Sequence, residues 1–134
     1  MIVRLAVPQK FEGLVDDLLD MNVQTGRRSF PAVDVTEDEQ KTVVVAELPG
    51  VRKEDIRVSF EDGMLAISGQ RKPYEIPQSA KVLLNEIRIR EFNRTIEPSH
   101  EVDADAIGAA MENGVLTVTL PKAERAKART VSIR

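Results

Sequence analysis

A chain that performs chemistry needs a nucleophile, an acid–base pair or a set of metal ligands, and few side chains here could supply one. Histidine occurs once, as His100, and cysteine not at all. His100-Glu101 lacks the second histidine of a zinc-protease helix, so the expectation is a surface-loop histidine ahead of Val102. Asp103-Ala104-Asp105 offers two acidic positions of a calcium loop but neither the downstream glycine nor the bidentate glutamate, and it reads as a solvated turn. No glycine-rich phosphate cradle occurs, which leaves an ATP-driven mechanism without a binding element. Arg27-Arg28 and Arg88/Arg90 are local pairs, expected to be exposed. The 19 basic and 22 acidic side chains nearly cancel, to a net charge of −3, and give no pull toward phosphate backbones. The expectation is no enzyme, no cofactor, no metal and no nucleic-acid partner.

Composition narrows the setting. At 134 residues the chain is one domain with short flanks, large enough to bury a core without disulfides. The lack of cysteine fits a reducing compartment. Met1–Val7 is apolar but stops at Pro8, too short for a signal peptide's hydrophobic region and far too short to span a bilayer, so no stable membrane insertion and a cytoplasmic address are expected. With 4% aromatic residues and no Trp, stacking platforms for bases or sugars are not expected.

The elements are set by hydrophobic period. Phe11, Leu14, Val15, Leu18 and Leu19 recur at the spacing of one helical face, with Pro8 suited to the first turn. Such a stripe packs on its own domain, on a neighbouring subunit or on a client. Gly26–Ser29 reads as a linker. From Pro31 the period becomes two. Strands are predicted at Ala32–Thr36, Lys41–Leu48, Asp55–Phe60, Met64–Gly69 and Arg88–Ile96, then through Ile107, Ala109 and Met111, and finally at Val115–Leu120. Pro49-Gly50, Asp62-Gly63 and Asn113-Gly114 are turn signals, the last suited to a type I′ hairpin. In the final strand Leu116, Val118 and Leu120 share one face, and Pro121, lacking an N–H, is expected to end the ladder. Gln70–Ser79 holds Pro73 and Pro77 and reads as a loop, followed by the apolar island Ala80–Leu84. Short strands at this spacing with tight turns argue for an antiparallel sandwich. Ala123–Arg129 is charged, yet the chain ends in Val131-Ser-Ile133-Arg134, an apolar alternation that a monomer has no reason to keep.

Several of these stretches, read in order, carry a resemblance. Pro31-Ala-Val-Asp34-Val, Glu47-Leu-Pro-Gly50-Val-Arg-Lys-Glu54-Asp55-Ile56-Arg-Val58, Phe92-Asn-Arg94 and Ala109-x-x-x-Asn113-Gly114-Val-Leu116 followed by a strand and Pro121-Lys122 resemble the α-crystallin domain of small heat-shock proteins. Val131-x-Ile133 is similar to the family's terminal anchor. Two positions depart from the pattern: Arg90 stands where the family often has glycine, and Glu97-Pro98-Ser99 displaces the usual proline.

The resemblance implies an all-β, immunoglobulin-like antiparallel β-sandwich over residues 31–122, with a short N-terminal helical arm (1–30) and a flexible C-terminal tail (123–134). It implies an ATP-independent holdase whose partners are unfolded client proteins and further copies of itself, a homo-oligomer built from dimers. Val82, Leu83 and Leu84 would add to the partner's sheet beside Ala32–Thr36, with Arg94 at the subunit contact. Strands carrying Ile56, Val58 and Phe60 and carrying Ile107 and Ala109 would border an apolar groove, Ala109 and Gly108 being small enough to leave room. Val131 and Ile133 project to the same side of an extended tail and would plug that groove on a neighbour. An extended run from Pro121 to Val131 spans at most about 33 Å. Phe11, Leu14, Leu18 and Phe30 would bind clients. Two other classes remain open: a monomeric or dimeric β-sandwich adaptor, and a small hydrolase or metalloprotein using His100 or Asp103/Asp105.

Overall fold

The computed structural model describes residues 30–87 and 91–134. Seven strands run in chain order: β1 Val33–Glu37, β2 Lys41–Glu47, β3 Ile56–Glu61, β4 Met64–Gln70, β5 Glu91–Ile96, β6 Gly108–Glu112 and β7 Val115–Pro121. They form a four-stranded sheet of order β1-β2-β7-β6 and a three-stranded sheet of order β3-β4-β5. Every ladder is antiparallel. This is a β-sandwich, the fold class that the period-two patterning implies.

The core follows from that period. Val44, Ala46, Leu65, Ile67, Val118 and Leu120 are fully buried between the sheets, joined by Leu48, Leu116 and Phe92. In β7 the burial alternates strictly, with Leu116, Val118 and Leu120 inward. The hairpins close as their residue pairs require: Asp62 and Gly63 have φ of 51° and 76°, Asn113 and Gly114 of 50° and 76°. Two successive left-handed residues are the mark of a type I′ turn, whose twist matches that of the strands it joins.

Several boundaries differ from expectation. The first strand is displaced by one residue, and β5 begins at Glu91, residues 88–90 lying outside the described part. Pro121 is the last residue of β7 and pairs with Lys41 at the end of the ladder, one residue beyond the expected Leu120; its carbonyl accepts the Asp103 N–H at 2.9 Å, and the Lys122 N–H donates to Gln40 at 2.8 Å. A missing donor is harmless where the proline's acceptor is used and its neighbours supply the donors. Ile107 precedes β6, because Ala104–Ala106 forms a 3-10 turn to which its N–H closes.

Four strand edges carry no partner among the described residues: β1 and β6 in one sheet, β3 and β5 in the other. Unpaired N–H and C=O groups along an edge template further pairing.

Candidate docking surfaces

The first surface lies between the edges β3 and β6. Ile56 and Val58 from β3, Ala109, Ala110 and Met111 from β6, and Leu116 and Lys53 line a groove of about 420 Å³. The alternation of β3 turns Ile56 and Val58 inward, and the small side chains of Ala109 and Ala110 leave the space open. Phe60 and Ile107, expected at this groove, are half-buried against the core and lie outside its lining. Phe60 sits opposite Leu65 near the far end of β3, and Ile107 belongs to the approach to β6. Met111 was visible in the sequence as the next inward position after Ala109, but Ala110 and Lys53 carry no periodic signal.

The second surface is the run 71–87 between β4 and β5, which has no regular secondary structure. Leu83 is 87% and Leu84 76% exposed, and Val82, Tyr74, Ile76 and Ile87 are exposed as well. Tyr74, Ile76, Val82, Leu84 and Ile87 line a shallow cavity of about 300 Å³ within the loop. Tyr74, Ile76 and Ile87 were not singled out from the sequence, since prolines interrupt the pattern around them.

The third surface is the C-terminal tail, where Val131 is 84% and Ile133 fully exposed. Its root is tied down. The Ala123 N–H donates to Glu101 O at 2.9 Å, Arg125 forms a two-pronged ion pair with the Glu101 carboxylate, and residues 124–126 make a 3-10 turn. Lys127 Nζ bonds Glu124 at 2.7 Å and holds that carboxyl below its usual range. The untied run therefore starts after Lys127 and reaches Val131 across at most about 14 Å, far less than the span measured from Pro121.

The remaining candidates among the described residues are engaged inside the subunit. Phe30 is half-buried, its ring edge-on to Phe92 with centroids 5.5 Å apart. Arg94, on β5 opposite Ile67, donates from Nη1 to the Pro31 carbonyl at 3.3 Å. Phe11, Leu14 and Leu18 fall outside the described residues. His100 is not a free surface side chain but a half-buried tie. Its Nδ1 lies 2.9 Å from Glu101 O, which can only accept, so Nδ1 carries a proton, and Nε2 forms a hydrogen bond with the Thr42 hydroxyl at 2.7 Å. Glu37 beside it accepts from Lys122 Nζ at 2.7 Å and Ser99 Oγ at 2.5 Å. The Lys122 hydrogen bond, then that of Ser99, holds the Glu37 carboxyl below the ordinary range. These groups are mutually satisfied and present no open position for a reacting atom. Among the described residues no group of three or more His, Cys, Asp or Glu is placed to hold a metal, and no helix is long and apolar enough to cross a membrane.

The family model described as Hsp20/alpha crystallin family matches residues 34–134, the tail and every strand residue but Val33, the first. The chain belongs to that family. It is 39% identical over 113 residues to Heat shock protein 16 of Schizosaccharomyces pombe, covering 81% of this chain and 78% of that protein. It is 36% identical over 126 residues to the 16.9 kDa class I heat shock protein 3 of Oryza sativa, covering 92% and 85%. Among solved structures, Heat shock protein 16.0 from S. pombe superposes with a TM-score of 0.68 at 38% identity, over 81% of this chain and all of the other. The small heat-shock protein from Xylella fastidiosa, described as having a distinct high order structure, gives 0.64 at 33% identity, over 78% and 95%. This Hsp20/alpha crystallin chain is accordingly a small heat-shock protein of the ATP-independent chaperone class and not an enzyme.

Proposed function

We propose that the chain is a holdase: it binds unfolding proteins through exposed apolar surface, keeps them from aggregating without nucleotide, and works as a homo-oligomer of dimers in the cytoplasm. The observation that carries this is the sorting of large apolar side chains into two sets. One set is fully buried in the sandwich, while Leu83, Leu84, Val131 and Ile133 are more than three-quarters exposed on two projections. Each exposed Leu or Ile left in water forgoes roughly 1.5–3 kcal/mol of burial, a cost that a partner surface removes.

In this reading, the loop carrying Val82, Leu83 and Leu84 pairs with the open edge of β1 on a second copy, beside Arg94. Val131 and Ile133, two residues apart, occupy the groove of Ile56, Val58 and Ala109 on a neighbour. The short untied run after Lys127 favours a neighbour whose groove lies close to the tail root. Tail-to-groove contacts are heterologous and propagate unless symmetry closes them, so a closed shell of dimers is the expected assembly. Clients take the same apolar surfaces, together with Phe11, Leu14 and Leu18, while Phe30 stays packed against Phe92. Weak contacts in many copies give avidity without a strong single site. Heat acts twice, by loosening tail contacts and by exposing apolar surface on clients.

The test is light scattering of a heated model client with no nucleotide present. Added protein at equal mass suppresses the rise if the reading is right; scattering unchanged from the client alone refutes it. A single-subunit mass combined with no suppression would favour the adaptor reading.

A further inference from the structure

We propose that Arg71 and Lys72 form a clamp that aims the loop 73–87, with Pro49 and Asp55 as its seat. The inference rests on the reading of that loop as the cross-subunit element, and adds the residues that orient it.

The loop leaves β4 after Gln70 and has no regular hydrogen bonding of its own to fix a direction. Its two root residues are both basic and both anchored. Arg71 Nη1 donates to the Pro49 carbonyl at 3.2 Å, and its guanidinium carbon lies 4.9 Å from the centre of the Phe30 ring. That ring is itself held edge-on by Phe92 of the core. Lys72 Nζ lies 2.9 Å from Asp55 Oδ1, on a carboxylate side chain only 8% exposed. Two consecutive side chains thus bind the root to three separate segments: the Pro49-Gly50 turn, the chain entering β1, and the 3-10 turn Lys53–Asp55.

Asp55 is brought there by a close approach that glycine permits. A methyl group on Gly69, near the end of β4, would collide with the Asp55 carbonyl oxygen and come within 2.9 Å of Phe92 Cζ. With hydrogen at that position, the Lys53–Asp55 turn lies directly over the end of β4, and its carboxylate meets the second residue beyond that strand. Both acceptors, Pro49 O and Asp55 Oδ1, come from the single stretch Glu47–Val58, which gives this stretch a role as the receptor for the loop root.

The two ion pairs of this stretch differ in kind. Arg52–Glu54 spans 3.9 Å with both side chains two-thirds exposed, a geometry that contributes little. Lys72–Asp55 is short and screened on the acidic side, so removing the lysine strands a nearly buried charge. A root fixed in advance lowers the ordering cost when the loop docks on a partner. The clamp should therefore act on how long two subunits stay together, beyond any effect on folding.

The experiment mixes unlabelled and 15N-labelled full-length protein and follows mixed dimers by native mass spectrometry, with the urea midpoint of each variant measured alongside. Lys72→Met is expected to speed mixing by about tenfold or more, since interface changes act mainly on dissociation. Lys72→Arg is expected to restore the slow rate. The double variant Asp55→Asn/Lys72→Met removes the stranded charge while leaving the root unclamped. Fast mixing with a near-native urea midpoint in that variant supports the clamp. Mixing at the unsubstituted rate would mean that the single variant acted only through its uncompensated carboxylate, and overturns it. Leu83→Asp/Leu84→Asp must abolish the dimer. If it does not, the loop reading fails and the clamp's role with it; if it does while Lys72→Met mixes slowly, the clamp alone fails.

Discussion

The sandwich and its two projections use the same side chains to opposite ends. Inside, Leu65, Ile67, Val118 and Leu120 are completely withdrawn from water, each placed by a strand whose next residue faces the other way. On the loop and tail, Leu83, Leu84, Val131 and Ile133 stand in solvent with no strand to turn them inward. The difference lies in what surrounds them, not in residue type. A period-two pattern inside a ladder produces a self-sufficient core, while an apolar run outside any ladder has to be covered from elsewhere.

Substitutions that separate the two regions follow from this. The largest expected effect is in the core, where Ile67→Ala should lower the unfolding free energy by about 2–5 kcal/mol. Urea denaturation reads it. Next, Val131→Gly/Ile133→Gly should reduce the assembly to dimers while moving the unfolding free energy by less than ~0.5 kcal/mol, as surface substitutions do. Native mass spectrometry and urea together check both halves, and an unchanged assembly mass would remove the tail from the account. At the hairpin between β6 and β7, Gly114→Ala forces a side chain to φ of 76°, with its Cβ 3.4 Å from Pro49 Cα. About 1–2 kcal/mol of stability should be lost there, with assembly altered only through folding.

The smallest effect concerns acid. Glu37, through Lys122 and then Ser99, and Asp38, through the backbone N–H groups of Gln40 and Lys41, are both held below their ordinary values. A lowered folded-state value means that the unfolded chain binds the proton more readily. The contribution is complete above the ordinary carboxylate range and fades as pH falls through the lowered values. Glu37→Gln should therefore flatten the acid limb of the thermal midpoint plotted against pH; an unaltered limb would assign it to other groups.

Much of the sandwich was legible because its signals are local. Alternation set the inward face of β7, and Asn113-Gly114 and Asp62-Gly63 announced turns that only left-handed residues make. The candidate surfaces were legible in part. Val82–Leu84 and Val131-x-Ile133 stand out as apolar runs without a ladder, and Ile56, Val58 and Ala109 do line one groove. What escaped depends on contacts between residues far apart in sequence. Glu101 with Arg125, His100 with Thr42, and Lys72 with Asp55 leave no periodic trace, so the tied tail root, the half-buried histidine and the anchored loop could not be read from spacing. Pro121 does end β7, as its missing donor implied, while the Lys122 N–H bond to Gln40 just beyond it is set by the fold and left no trace in the pattern.

The central claim is that the apolar side chains on the loop and tail are retained because sister copies and clients cover them. Native mass spectrometry of the unmodified chain at micromolar concentration tests it most directly. The account predicts an assembly containing an even number of subunits, with dimers as the next smaller species on activation. A single-subunit mass across that concentration range would contradict it.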